Sequence, residues 1–215
     1  MSSVRIINNQ PSLVNQFLYE LRHKDIQKDR ARFRGNLKKL GAIMAYEISK
    51  TEDYKTMTCP TPMVDTAIDV MAEPPVLVSI LRASLPFFDG FMEFFDHADA
   101  AFIGAYREEG DEIAIKLDYL ACPDVSGRTV IVVDPMLATG KSLIAAYNQL
   151  VKRGQPRKLH FASAIAAPEG IDYIASQLNV EYTIWTASLD DHLNDKSYIV
   201  PGLGDAGDLS FGEKI

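Results

Sequence analysis

Apolar positions in the first fifty residues recur with a helical period. Leu13, Phe17, Leu18 and Leu21 share one face of a segment that Ser12 can cap, and a second run from about Asp25 carries Phe33, Leu37, Leu40 and Met44. Residues 51–75 are rich in turn formers, and no strand is placed there. From residue 75 the pattern changes to short apolar runs: 76–81 (VLVSIL), 100–106 (AAFIGAY), 129–133 (TVIVV), 159–167 (LHFASAIAA) and 182–187 (YTIWTA). Candidate helices lie between them at 87–95, 142–153 and 171–177. This alternation predicts an α/β fold with a largely parallel sheet flanked by helices. The helix from 142 has a favourable carboxyl end, with Lys152 and Arg153 in its last turn and Gly154 beyond.

Length and charge narrow the picture. With 215 residues, 47% of them apolar, the chain can bury one substantial core, so a single domain over 1–215 is expected. Its parts are amino-terminal helices over about 1–50, a core over about 75–190 and a tail at 198–215. A net charge of −7 opposes binding to nucleic acid or anionic membranes. The basic residues Lys24, Lys28, Arg30, Arg32, Arg34, Lys38 and Lys39 read either as a binding patch or, more in keeping with such runs, as a solvated helix face. Cys59 and Cys122 lack metal-ligand spacing and are expected to be reduced, partly buried thiols. With no basic segment leading into an apolar run at the amino end and no membrane-length apolar stretch, a cytoplasmic protein is expected.

The chemistry concentrates in 130–142, VIVVDPMLATGKS: a buried strand, an acid at its carboxyl end, then Thr-Gly-Lys-Ser opening a helix. Ligands of open parallel sheets sit beyond the strand carboxyl ends, and helix amino termini bind phosphate. Thr139 and Ser142 add hydroxyls, and Gly140 lets the backbone approach a ligand closely. Lys141 is unfavourable against an empty helix end; it either belongs to an anion site or points to water. A Walker A loop is excluded, because Pro135 stands where that pattern needs its first glycine. Asp134 is better suited to accept hydrogen bonds from ribose hydroxyls; the alternative is a carboxylate bonding its own turn.

The segment DPMLATGKS at 134–142 resembles the 5-phosphoribosyl diphosphate loop of uracil phosphoribosyltransferases. ILRAS at 80–84, IGAYRE at 103–108, AAPEGI at 166–171 and YIVPGLGDAGDLSFG at 198–212 are similar to that family's other motifs, in the same chain order. The resemblance implies the type I phosphoribosyltransferase fold, with amino-terminal helices and a small base-binding hood. It implies that Arg82, Arg107, Asp134, Pro135, Met136, Leu137, Ala138, Thr139, Gly140, Lys141, Ser142 and Asp205 bind 5-phosphoribosyl diphosphate. Ile199, Gly204, Asp205 and Ala206 would bind uracil, with Arg107, Asp134 and Asp205 catalytic. The reaction would give UMP and pyrophosphate in pyrimidine salvage, with Mg2+ held through the substrate diphosphate and no protein metal cluster. Homodimers or homotetramers and a GTP effector are implied as partners. By composition alone the glycine-rich tail is equally an ordinary solvent loop.

Three positions depart from the family pattern. Lys141 stands where glycine is usual, Ser84 replaces a glycine and is expected to crowd the diphosphate, and Leu209 stands where a basic residue is usual. Arg82, ending an apolar strand, is read as a diphosphate ligand in preference to a surface ion pair. Segment 107–116 is a candidate mobile cover over the reaction. None of His23, His97, His160 and His192 is needed for this chemistry. A pyrimidine-sensing regulatory protein and a catalytically silent relative are the alternatives; an orotate or purine enzyme is a third.

Overall fold

A computed structural model describes residues 2–108 and 114–213, and of 105–108 and 114–118 the backbone alone. The strands in chain order are β1 (Ser3–Ile6), β2 (Tyr54–Cys59), β3 (Thr66–Met71), β4 (Val76–Leu81), β5 (Asp99–Glu108), β6 (Ala114–Ala121), β7 (Thr129–Val133), β8 (Met136–Leu137), β9 (Lys158–Ala166), β10 (Thr183–Leu189), β11 (His192–Leu193) and β12 (Ile199–Val200). The α-helices are α1 (Leu13–Arg22), α2 (Arg30–Ser49), α3 (Leu85–Phe94), α4 (Lys141–Leu150), α5 (Pro168–Gln177) and α6 (Ala206–Phe211).

One sheet runs in the order β1-β10-β9-β7-β4-β5-β6, with β8 added beside β9. Its pairs are parallel except β5 with β6. Alternation along the central strands sends side chains to two apolar layers. Leu77, Ile131 and Val133 pack with α1, α2 and α3, whereas Val76, Val78, Val130 and Val132 pack with Leu143 and Ile144 of α4 and Ile174 of α5. Burial on both faces explains why these strands read as continuous apolar runs.

Local signals set the helix starts. Ser12 accepts from the Val14 amide, and the Asn15 side chain accepts from the Ser12 amide, so α1 begins where expected. Asp29, not Asp25, caps α2 through the Ala31 and Arg32 amides, after a 3-10 turn at Ile26–Lys28. The helix expected at 142–153 starts one residue earlier and tightens into a 3-10 turn at Val151–Arg153, closed by Gly154 at φ 138°.

The basic run is not simply solvated. Lys38 pairs with Asp89 and Glu93 of α3, Arg32 with Glu20, and Arg34 donates to the Ser210 carbonyl of α6. Residues 51–75 hold the antiparallel pair β2–β3, which projects with nearly every residue exposed. With no buried face, no apolar alternation marks it. Both cysteines are free and partly buried. Among the described residues no helix is long and apolar enough to cross a membrane.

At the edge of the sheet away from the strand carboxyl ends, the buried Glu52 accepts from Thr129 (2.8 Å) and contacts His160 Nε2 (3.1 Å). The Trp185 indole N–H donates to His160 Nδ1 at 3.2 Å. An indole can only donate, so Nδ1 accepts and Nε2 carries the proton toward Glu52. Burial alone would push the Glu52 carboxyl up. Hydrogen bonds from His160 and Thr129 and the charge of Lys158 hold it net below its ordinary value. His160 is therefore a structural histidine.

Candidate active site

The chain runs from β4 to β5 on one side of the sheet and then returns to β7 on the other side of β4. This reversal between β4 and β7 is a topological switch point, and open α/β sheets bind their ligands in the crevice beyond the strand carboxyl ends at such a point. Register brings the expected residues to it. Ser79 of β4 pairs with Val133 of β7, and Leu81 pairs with Gly104 of β5. Arg82, Asp134 and the backbone of Arg107 thus lie at or beyond the carboxyl ends of three neighbouring strands. The Arg107 side chain and residues 109–113, which include most of the expected cover's loop, lie outside the described residues.

The 134–140 loop is held as a strand extension. The Asp134 amide donates to Ala162 (3.0 Å), the Pro135 carbonyl accepts from Ala164 (3.0 Å) and Ile165 (3.1 Å), and the Ala167 amide donates to Leu137 (2.9 Å). Leu137 and Ala138 bury their side chains, so their contact with any ligand would run through the backbone. Asp134 Oδ1 accepts from the Met136 amide at 3.3 Å, which is the turn-bonding geometry weighed from the sequence. The Thr139 hydroxyl lies 3.4 Å from the Lys141 amide at the start of α4, and the first-turn amides of that helix have no intrahelical acceptor.

Gly140 serves a purpose besides close approach to a ligand. It sits at φ 75°, and a Cβ there would stand 2.7 Å from the Gly170 carbonyl oxygen of α5. A Cβ on Gly170 would in turn stand 2.2 Å from the Ala138 oxygen. Helix α5 thus braces the loop from behind. AAPEGI at 166–171 supplies that brace.

One expectation, for Ser84, is corrected, and Arg82 has a partner that the sequence did not show. Arg82 does form an ion pair: Nη2 lies 2.9 Å from Asp208 Oδ1 and donates to the Gly212 carbonyl at 2.6 Å, with Phe211 beneath the guanidinium. At about a third exposed, its side chain reaches α6, where Nη2 is paired while Nε is buried with no hydrogen-bond partner among the described residues. Ser84 does not point into the crevice. It is fully buried, its hydroxyl donating to the Ile80 carbonyl at 2.6 Å and lying 2.7 Å from the Ser79 hydroxyl.

The tail forms a hood of β11, β12 and α6 above this crevice edge. Ile199, Leu203 and Ala206 are buried and anchor it to the α1–α3 layer. Asp205 caps α6 through the Asp208 amide (2.9 Å), and its second oxygen has no partner among the described residues. Leu209 packs partly on the apolar layer. The carbonyls at the end of α6, Ser210 and Gly212, are taken up by Arg34 and Arg82. The peptide bonds Leu81–Arg82 and Val200–Pro201 are cis.

Sequence reasoning missed Arg22, Asp190 and Asp208. Arg22 and Asp190 are 168 residues apart, so no local spacing could have joined them.

The fold is similar to that of a hypoxanthine phosphoribosyltransferase from Staphylococcus aureus, at a TM-score of 0.50 and 15% identity over 73% of this chain and 74% of that one. A solved protein from Aquifex aeolicus is similar over 99% of both chains, at a TM-score of 0.88 and 31% identity. The molecule is of the type I phosphoribosyltransferase fold class. Residues 8–213 match the family model described as uracil phosphoribosyltransferase. A uracil phosphoribosyltransferase of Porphyromonas gingivalis is 45% identical over 95% of both chains, and one of Rhizobium meliloti is 40% identical over the whole of both. The chain belongs to the uracil phosphoribosyltransferase family.

Proposed function

We propose that this chain transfers the phosphoribosyl group of 5-phosphoribosyl diphosphate to uracil, giving UMP and pyrophosphate, at the switch point between β4 and β7. The observation that carries this reading is the convergence there of Arg82, Asp134 and the amino end of α4. The 5-phosphate would sit on the first-turn amides of α4 with the hydroxyls of Thr139 and Ser142, the 134–142 backbone and Lys141 around it. Asp134 and Asp205 would receive the ribose hydroxyls and face the positive charge that develops at the anomeric carbon. Arg82 and Arg107 would take the negative charge of the departing diphosphate. Uracil would lie against Ile199, read by backbone groups of Gly204, Asp205 and Ala206.

The oxygen donors that the loop offers, the Asp134 carboxylate and the two hydroxyls, suit a hard cation. Among the described residues no three His, Cys, Asp or Glu side chains converge. Magnesium favours substrate oxygens and water over an all-protein cage, so it would be held through the diphosphate and ribose oxygens and would supply positive charge to the leaving group. Self-association, implied by the family, would cover the exposed Tyr54, Met57, Met63, Val64 and Ile68 of the β2–β3 projection. A GTP effector and a cytoplasmic setting complete the reading, the second in keeping with two free thiols.

The test is pyrophosphate release from 5-phosphoribosyl diphosphate with Mg2+, comparing uracil with cytosine, orotate, hypoxanthine and no base, with and without GTP. Release with uracil alone is expected. Release with another base would move the assignment of the hood, and binding of the sugar diphosphate without release would favour a silent or sensing relative.

A further inference from the structure

Asp190, just beyond β10, is a nearly buried carboxylate with a 2% exposed side chain. Its oxygens meet four donors: Arg22 Nη2 (2.6 Å) and the Ser188 hydroxyl (3.0 Å) on Oδ1, Arg22 Nη1 (2.7 Å) and the Gly202 amide (2.9 Å) on Oδ2. Arg22 Nη1 also donates to the Gly202 carbonyl at 2.8 Å. Both backbone polar groups of Gly202 are thereby clamped by one bidentate ion pair. Gly202 lies at φ 61°, and a Cβ there would stand 2.0 Å from the Ile199 oxygen, so the turn has no slack for another residue. The backbone at 190–191 is tied as well, Asp190 to Ala166 (2.8 Å) and Asp191 to Val200 (2.9 Å). With its carboxamide nitrogen turned toward the carbonyls, Gln27 donates to Leu203 (2.8 Å) and Leu21 (2.9 Å).

A charged pair of this kind is an expensive way to stabilise a fold, because desolvating two ions offsets much of their attraction. What it supplies is position. It fixes the turn between Ile199 and Gly204 relative to two elements that do not belong to the hood, the end of α1 and the end of β10. We infer that Arg22 and Asp190 are positioning residues for base recognition, holding the Ile199–Gly204 turn in the register that matches uracil and rejects cytosine. This rests on the assignment of uracil to that loop. Discrimination between two bases of one shape depends on buried donors and acceptors facing correct partners, so a small displacement of the turn removes it.

The experiment measures steady-state kinetics for uracil, cytosine and 5-phosphoribosyl diphosphate, with thermal melts, for Asp190→Asn, Arg22→Lys and Ile199→Ala. Asp190→Asn places a donor where Arg22 or Gly202 needs an acceptor. It is expected to raise KM for uracil on the order of tenfold, narrow the preference over cytosine and leave KM for 5-phosphoribosyl diphosphate within about twofold. Arg22→Lys keeps the charge but loses the fork, so its effect should have the same pattern and be smaller. If Asp190→Asn does not fold, the partly exposed Arg22→Lys decides, since it removes the bidentate grip without burying an unpaired charge. An unchanged KM for uracil in Ile199→Ala would sink the base-loop assignment. A raised value there, with both clamp variants like wild type or changed equally for both substrates, would overturn the positioning role alone.

Discussion

The Ser84 hydroxyl lies 2.7 Å from that of Ser79 in a fully buried pair, and it donates its hydrogen bond to the Ile80 carbonyl. Ser79 must therefore donate to Ser84. Replacing Ser84 by the glycine usual in the family would leave Ser79 without its acceptor. Ser84→Gly is expected to lower stability by about 1–3 kcal/mol in urea unfolding and to leave KM for 5-phosphoribosyl diphosphate unchanged. A fall in that KM would restore the crowding reading of Ser84.

Asp208 holds the guanidinium that a diphosphate is proposed to use. Both groups are about a third exposed, so the pair is worth little and a ligand can displace it. Asp208→Asn should tighten pyrophosphate binding, by calorimetry, by about two- to fivefold at low salt and less at high salt. Weaker binding would mean that Asp208 orients Arg82 for the ligand.

Gly140 is tested by its contact with α5. Gly140→Ala combines a positive φ with a 2.7 Å approach to the Gly170 oxygen. It should cost about 1–3 kcal/mol of stability and raise KM for 5-phosphoribosyl diphosphate more than KM for uracil. Equal changes in both would argue that the loop and hood move together.

Glu52 makes stability depend on pH. Its folded-state pKa is depressed from the ordinary 4.5, so its contribution is present above that value and is lost as pH falls through the folded one. The stability gap between wild type and Glu52→Gln should therefore be largest near neutral pH and shrink below about pH 4.5. A gap that stayed constant from pH 7 to pH 3 would place the effect in packing.

Met57 of β2 and Ile68 of β3 sit opposite each other, and each is about half exposed. Ile68→Asp should move the sedimenting species toward monomer while changing thermal stability little at low concentration. An unchanged species would shift self-association to another surface.

How much of this was legible in the sequence depends on where each residue's partners lie. The five apolar runs from 76–81 to 182–187 are strands of the sheet because β-branched and apolar residues buried on both faces leave an uninterrupted signature. The β2–β3 pair and the edge strand β1 were not legible. The β2–β3 pair buries no face that would leave an apolar alternation, and β1 is a four-residue strand whose partner, β10, lies at the other end of the chain.

The amino-acid order alone determined the family, the strand-to-helix loop at 134–142 proposed to take a phosphate, and the exclusion of a Walker A loop by Pro135, because each rests on short runs of neighbouring residues. Only the tertiary structure decided which way Ser84 points, that Asp208 holds Arg82, that Gly170 braces Gly140, and that Arg22 and Asp190 clamp Gly202. Those relationships join residues far apart in the chain, and their distances exist only once the sheet order brings the elements together.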